Sequence, residues 1–256
     1  MAPPTLPAGF VDAHRKHLDG ISYDPDRFPL AARDFPVVWR LDGARYAEVE
    51  ARTGLPAAIV AAIHWRESAA NFGTYLHNGQ RLGQRTTIVP KGVLHHEWEP
   101  AAVDAIESHW VWAEAAGIPA DRCDRALWAA FCERYNGLGY WCRDKPSPYV
   151  YSGTSVYVGG KFVADHKYDA LAVDSQPGCM LLWHLLEGEQ ALPTYRRGMR
   201  GPGIASLQRQ LDVTDDGDFG PATEAMVKAW QKAALLKPDG IFGPASWGAL
   251  LGSRCV

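Results

Sequence analysis

The stretch "AAIVAAIHWRESAANF", Ala57 to Phe72, decides the fold of the first part of the chain. Pro56 before it suits the first turn of a helix, and Thr53 is placed to cap it. On a helix starting there, Ile59, Ile63 and Glu67 stand at i, i+4 and i+8, with Val60 alongside, so they share one stripe. Glu67 continues the line of core-facing side chains and is expected to meet solvent through a cleft. Burial of a carboxyl group disfavours its charged form and raises its pKa, which is the state a general acid needs near neutral pH. The competing assignment is an ion pair of Glu67 with Arg66, Arg81 or Arg85 that only ties helix to loop.

Working outward, the first 190 or so residues read as mostly helical. Ala101 to Gly117 and Arg122 to Tyr135 both carry apolar residues at helical spacing, with Val103, Ile106, Trp110 and Ala113 in the first and Leu127, Trp128, Phe131, Cys132 and Tyr135 in the second. Between them and the opening helix, "QRLGQRTTIVPK" breaks the pattern and predicts a loop with a short strand. "YVYSGTSVYVGGKFV", Tyr149 to Val163, alternates and is rich in β-branched and aromatic residues, which predicts a hairpin turning at Gly159-Gly160. A mainly α fold follows, an α+β first domain with a small hairpin region.

Composition excludes several classes. The chain has 256 residues, 47% of them hydrophobic, and a net charge of −3, without the basic stripe that nucleic acid requires. Ten Trp and ten Tyr suit a sugar- or protein-binding surface as well as a core. No run is long enough to span a membrane, and "MAPPTLPAGFVDAHRKH" lacks the pattern of a secretory signal. Five cysteines (Cys123, Cys132, Cys142, Cys179 and Cys255) are odd in number and without paired C-x-x-C spacing, so reduced thiols are expected. "HHE" at His95 to Glu97 is a weak metal signal, and no H-E-x-x-H accompanies it. No metal or cofactor is expected.

The C-terminal end is internally repeated. "DGDFGPA", Asp216 to Ala222, recurs as "DGIFGPA", Asp239 to Ala245, and each is followed by a helical stretch. Asp-Gly and Gly-Pro mark tight turns that lead into helices. With "GIASLQRQLDV" in front, they predict a bundle of three short helices. The duplicated pattern, "LQRQL" before it and "AWQ" between resemble the peptidoglycan-binding module of the PGBD-1 type, which implies a non-catalytic cell-wall anchor. The expected organisation is a first domain over 1–190, a linker over 191–203 suggested by "ALPTYRRGMRGPG", and the anchor over 204–256.

The first domain resembles the lysozyme-like superfamily, in its goose-type lysozyme and lytic transglycosylase branch. The resemblance is carried by "ES" at Glu67-Ser68, the polar loop with Gln84, Thr86 and Thr87, and "ERYNGLGYW" with Tyr135 and Asn136. It is similar to endolysin-type muramidase domains of phages and prophages over most of Phe10 to Leu186. The implied substrate is peptidoglycan, cut at the β-1,4 bond after N-acetylmuramic acid with Glu67 as general acid. Thr86 or Thr87 would position a water. Tyr135 and Asn136 would orient the sugar, and Tyr149, Tyr151 and Ser152 would line the cleft with Ser68, Tyr75, His77 and Gln84. Gln80 stands where similar domains tend to carry an acid, which leaves the second group open, with Glu97 and Glu99 as further candidates. A lytic transglycosylase, in which the muramic 6-hydroxyl attacks internally, needs no such group. A zinc peptidase and an inactive wall-binding protein are the competing classes. Lacking a signal, the chain is expected to be a monomer that accumulates in a bacterial cytoplasm and is released to the wall.

Overall fold

The computed structural model describes residues 5–188 and 191–252. The ends of the expected domains at 1–4, 189–190 and 253–256, and with them Cys255, lie outside the described residues. The fold is mainly α: about half helical, with eleven α-helices and one two-stranded sheet among the described residues. Two compact units emerge, one of residues 5–28 and 44–184, the other of 29–43 and 185–252. No helix among the described residues is long and apolar enough to cross a membrane.

In the first unit, α1 (Phe10–Leu18) is followed by the second half of α2 (Pro29–Thr53) and by α3 (Ala57–Ser68). Ile59, Val60 and Ile63 are fully buried, as their spacing demands. Thr53 does not cap α3. Its hydroxyl donates back to Val49 O at 2.8 Å at the end of α2, and Glu50 Oε2 instead accepts from the Ala57 amide at 2.8 Å. The stretch Ala101 to Gly117 is two helices, α4 (Trp98–Glu107) and α5 (Trp110–Ala116). The break falls at Ser108, whose hydroxyl donates to Ala105 O at 2.7 Å and competes with the backbone ladder. Helix α6 (Arg125–Asn136) begins at Asp124, which accepts from the Ala126 amide at 2.8 Å.

The expected hairpin over 149–163 is displaced. Pro148 opens a single helical turn, α7 (Pro148–Tyr151), because proline suits N1 and Ser147 is extended before it. The hairpin follows, with β1 (Lys161–Ala164) antiparallel to β2 (Lys167–Asp169) and His166 in the left-handed region at the turn. Gly160 precedes the sheet at φ 90°, where a Cβ would lie 1.9 Å from the Tyr168 hydroxyl. Helix α8 (Cys179–His184) then returns to α3, with Trp183 Nε1 donating to Ala58 O at 2.9 Å.

The second unit contains the expected three helices, α9 (Pro202–Gln210), α10 (Pro221–Ala233) and α11 (Pro244–Gly252), each opening on a proline. Each repeat is locked by one glutamine. Gln208 donates to Asp216, Asp218 O and Thr223 and accepts from the Gly217 amide. Gln231 makes the same set with Asp239, Ile241 O, Ser246 and the Gly240 amide. Phe219 and Phe242, the fourth residue of each repeat turn, are fully buried.

Two features depart from the sequence-based boundaries. Residues 191–203 are not a free linker, since Tyr195 is fully buried and pairs with Phe242 through two backbone hydrogen bonds of 3.0 and 2.8 Å. The first half of α2 also belongs to this unit, where Val37 and Leu41 join the core of Ile204, Leu207 and Phe219. Its Asp34 accepts from Tyr195 at 2.8 Å, and its Asp42 from Ser206 at 2.5 Å and Arg209 at 2.8 Å. Gly203 has no room for a side chain, because a Cβ would lie 2.1 Å from the Tyr195 hydroxyl.

Replacing Gln208 or Gln231 by Ala leaves buried donors and acceptors of one turn unmet, at about 1–3 kcal/mol each way. Chemical denaturation of the full chain should show similar destabilisation, about 2 kcal/mol, for either variant. A large effect at one glutamine and none at the other would contradict their structural equivalence.

Candidate active site

Helix α3 ends where Ala69 turns left-handed at φ 50°, which leaves Glu67 on the last turn. The residue is partly exposed, in line with Ile59 and Ile63 beneath it. Tyr149, buried on α7, donates its hydroxyl to Glu67 Oε1 at 2.8 Å. Desolvation raises the Glu67 pKa, and the Tyr149 hydrogen bond and the Arg66 charge only partly offset that rise.

Arg66 does not pair with Glu67. Its Nη1 donates to Asp174 Oδ2 at 2.9 Å and to Pro177 O at 3.1 Å, and the guanidinium carbon lies 4.7 Å from the centre of the Tyr149 ring. Asp174 is buried and takes Lys161 Nζ on its other oxygen at 3.0 Å. Burial alone would raise the Asp174 pKa, but Arg66 and Lys161 overcome it and hold the group ionised below its ordinary value. Arg85 is likewise engaged elsewhere, with Gly92 O at 2.9 Å.

Beside this arrangement lies a cleft of about 450 Å³, walled by Arg66, Asn136, Tyr140, Tyr149, Lys161, Phe162, Asp174 and Gln176, among others. Tyr140 and Phe162 meet edge to face at 5.1 Å, and the Tyr140 hydroxyl accepts from the Phe162 amide at 3.1 Å. Aromatic faces interleaved with hydrogen-bonding groups suit a ligand that is polar at its edges and apolar on its faces. Tyr149 is common to the cleft wall and to Glu67, while Glu67 itself is not part of the wall. Asn136 is the second expected residue found there. Tyr135 is close behind: its phenol is pushed well up by burial and by the Glu67 charge, and its hydroxyl donates to Leu76 O at 3.2 Å.

Other expected site residues build the loop instead. Thr86 is buried, donates to Pro90 O at 2.5 Å and accepts from the Val93 amide at 3.0 Å. Thr87 accepts from Gln80 Nε2 at 2.9 Å, and its amide donates to Gln80 Oε1 at 2.9 Å. Gln80 therefore braces the turn with both ends of its amide, work that needs a donor as well as an acceptor. Tyr75 is fully buried, with its hydroxyl donating to Gln84 O at 3.1 Å and accepting from the His95 amide at 2.7 Å. Gln84 contributes that carbonyl and an exposed side chain. His77 faces Asp104 at 3.3 Å with its ring covered, and desolvation lowers its pKa. Ser68 donates back to His64 O at 3.3 Å. Glu99 pairs with Arg45, and Glu97 is exposed at the start of α4. Among the described residues no group of three or more His, Cys, Asp or Glu is placed to hold a metal ion.

Tyr151 and Ser152 turn away from Glu67. Ser152 is buried and its hydroxyl finds no partner. The Tyr151 hydroxyl meets His14 Nδ1 at 2.6 Å, and His14 Nε2 lies 3.5 Å from Glu133 Oε2. A pocket of about 70 Å³ adjoins them. Desolvation pushes Glu133 up to about 7 and, with His17, lowers His14 to about 3. Sequence reasoning missed this cluster, and it also missed Arg66, Tyr140, Lys161, Asp174 and Gln176 as parts of the cleft. The one local signal was "RE" itself, a cation beside the candidate acid that has to be paired somewhere.

Comparison with known proteins bears on the second unit. Residues 200–250 match the family described as "Putative peptidoglycan binding domain". The chain carries a peptidoglycan-binding domain. An uncharacterized protein in the bpoA1 3' region of Kitasatospora aureofaciens is 42% identical over 59 residues, which make up 20% of this chain and 48% of that protein. The chain thus spans about half the length of this curated relative. No solved structure matches.

Two measurements test the site. Tyr149→Phe removes a hydrogen bond that favours the charged carboxyl, so carbon-detected NMR should find the Glu67 titration moved to higher pH. Glu133 is protonated in both states below about pH 4.5, and as pH rises to about 7 the unfolded chain ionises first. The chain loses about 3 kcal/mol across that window. Glu133→Gln should remove the loss, so its thermal unfolding should gain on the parent at pH 8 relative to pH 4.5.

Proposed function

We propose that the chain cleaves the glycan strand of peptidoglycan at the β-1,4 bond between N-acetylmuramic acid and N-acetylglucosamine, with Glu67 as general acid. The observation that carries the proposal is a carboxyl group with a raised pKa, held by Tyr149 beside a cleft of about 450 Å³, in a chain whose residues 200–250 match a peptidoglycan-binding domain. Glu67 would give its proton to the leaving glycosidic oxygen as the muramic ring takes on oxocarbenium character. The resulting carboxylate then accepts a proton from whichever hydroxyl attacks. Asn136 and the aromatic wall of Tyr140 and Phe162 would hold the sugar.

One observation favours the internal route of a lytic transglycosylase. Thr86 and Thr87, the expected holders of a water, are spent on their own loop, and both oxygens of Asp174 are taken by cations. Attack by the muramic 6-hydroxyl requires neither. Accumulation in a host cytoplasm and release as an endolysin complete the proposal, with the peptidoglycan-binding domain raising local concentration on the wall.

Purified sacculi test it. Glu67→Gln should abolish release of soluble muropeptides while sacculus binding persists, and full release by the variant would refute the assignment. Mass spectrometry of the products separates the routes: 1,6-anhydro ends are expected, and reducing muramic acid would indicate hydrolysis. New amino groups, silenced by EDTA, would indicate a zinc peptidase instead.

A further inference from the structure

A flexible cation next in sequence to a half-buried carboxyl group is positioned to pair with it, and a carboxyl held ionised by a cation makes a poor acid. On a helix, residues i and i+1 point apart, so Arg66 needs a second anchor to stay apart from Glu67. The loop over 174–177 supplies one. Asp174 and Pro177 O both accept from Arg66 Nη1, and Gln176 Nε2 donates to the Arg66 carbonyl at 3.3 Å. The loop is itself fixed, since the Asp174 amide donates to the Tyr157 hydroxyl at 3.1 Å and Lys161 holds the second carboxylate oxygen. Held this way, the guanidinium lies against the Tyr149 ring whose hydroxyl reaches Glu67.

We propose that Asp174 is a positioning residue, which by binding the Arg66 guanidinium in a buried ion pair withdraws that cation from Glu67 and leaves the Tyr149 hydroxyl as the carboxyl's partner. The inference rests on the reading of Glu67 as general acid, and it adds what keeps that acid competent. The other titratable groups around Glu67 and Tyr149 are Tyr135 and Cys132 on α6, Cys179 on α8 and Lys161 on β1. Burial pushes the Tyr135, Tyr149 and Cys132 groups up, which leaves them uncharged at neutral pH. Lys161 is held by Asp174 as well, so both nearby cations answer to the same carboxylate.

The test is Asp174→Asn in the full chain, read in two ways. Carbon-detected NMR without substrate, with Glu67→Gln to assign the signal, should show the Glu67 titration moved to lower pH. Muropeptide release at pH 7, relative to the variant's own acid plateau, should fall roughly tenfold, as expected when an opposite charge closes on a carboxylate. Arg66→Gln added to Asp174→Asn should return the titration to the parent's or above it, which a merely structural role for Asp174 would not achieve. An unmoved titration in Asp174→Asn, or a shift that survives removal of Arg66, overturns the proposal. Should Asp174→Asn not fold, NMR of the unaltered chain still decides: slowed rotation of the Arg66 guanidinium is expected, and free rotation overturns it. Because the titration is read without substrate, its failure and the failure of the catalytic reading are separable.

Discussion

The buried pair of Arg66 and Asp174 orders the first unit around Glu67. A buried ion pair contributes little net stability, because desolvating two charges costs about what their attraction returns. Its value here is directional. The pair fixes a guanidinium against the face of Tyr149, ties the loop over 174–177 to the end of α3, and sets a phenol where its hydroxyl meets Glu67. Removing Asp174 would leave the Arg66 guanidinium a buried charge without its carboxylate, which is the costly way to break such a pair, whereas Asp174 without Arg66 would keep Lys161. Helix α3, helix α7, strand β1 and the loop before α8 meet through it.

Among the described residues of this unit, two carboxyl groups have a pKa raised by desolvation, and only one has room around it. Glu133 is the more perturbed, up to about 7, yet its neighbouring pocket of about 70 Å³ accommodates a few water molecules and no sugar ring. Its neighbours, His14 and Tyr151, are buried and tie α1 to α6 and α7. Glu67 is perturbed in the same direction and keeps part of its surface exposed, next to a cleft of ligand size. A perturbed pKa alone would favour Glu133; volume and access distinguish Glu67 as the acid a ligand could reach.

The sequence made the helix of Glu67 legible because its apolar spacing is local, and the repeats of the second unit because each turn carries its own glutamine, aspartate and phenylalanine. Tyr149 and Asn136 were legible through resemblance. What stayed hidden depends on pairings across the chain. Asp174 lies 108 residues from Arg66, and nothing in "AVDSQPG" marks it as a guanidinium's partner. Thr86 and Thr87 looked available because a hydroxyl in a polar loop gives no sign of which carbonyl or amide it serves. Tyr151 is expected in the cleft beside Tyr149 through the resemblance, and the hairpin read over 149–163 is compatible with that. In a strand residues two apart share a face, whereas on the helical turn opened by Pro148 they diverge.

The second unit shows why its boundary could not be read from the repeats alone. The two turns are self-sufficient, each closed by one glutamine, but the core they leave open is completed from residues 29–43. Asp34 and Asp42 are nearly or fully buried, which is tolerable only because Tyr195, Arg33, Ser206 and Arg209 meet them. A cut at 191 or 204 would remove Val37 and Leu41 from the core, strand the Arg209 guanidinium without Asp42, and in the second case delete Tyr195 from its place against Phe242. The peptidoglycan-binding domain is therefore duplicated in its turns yet not independent in its packing. Residues 29–43 of α2, which read as an ordinary part of the first domain, belong to the second unit.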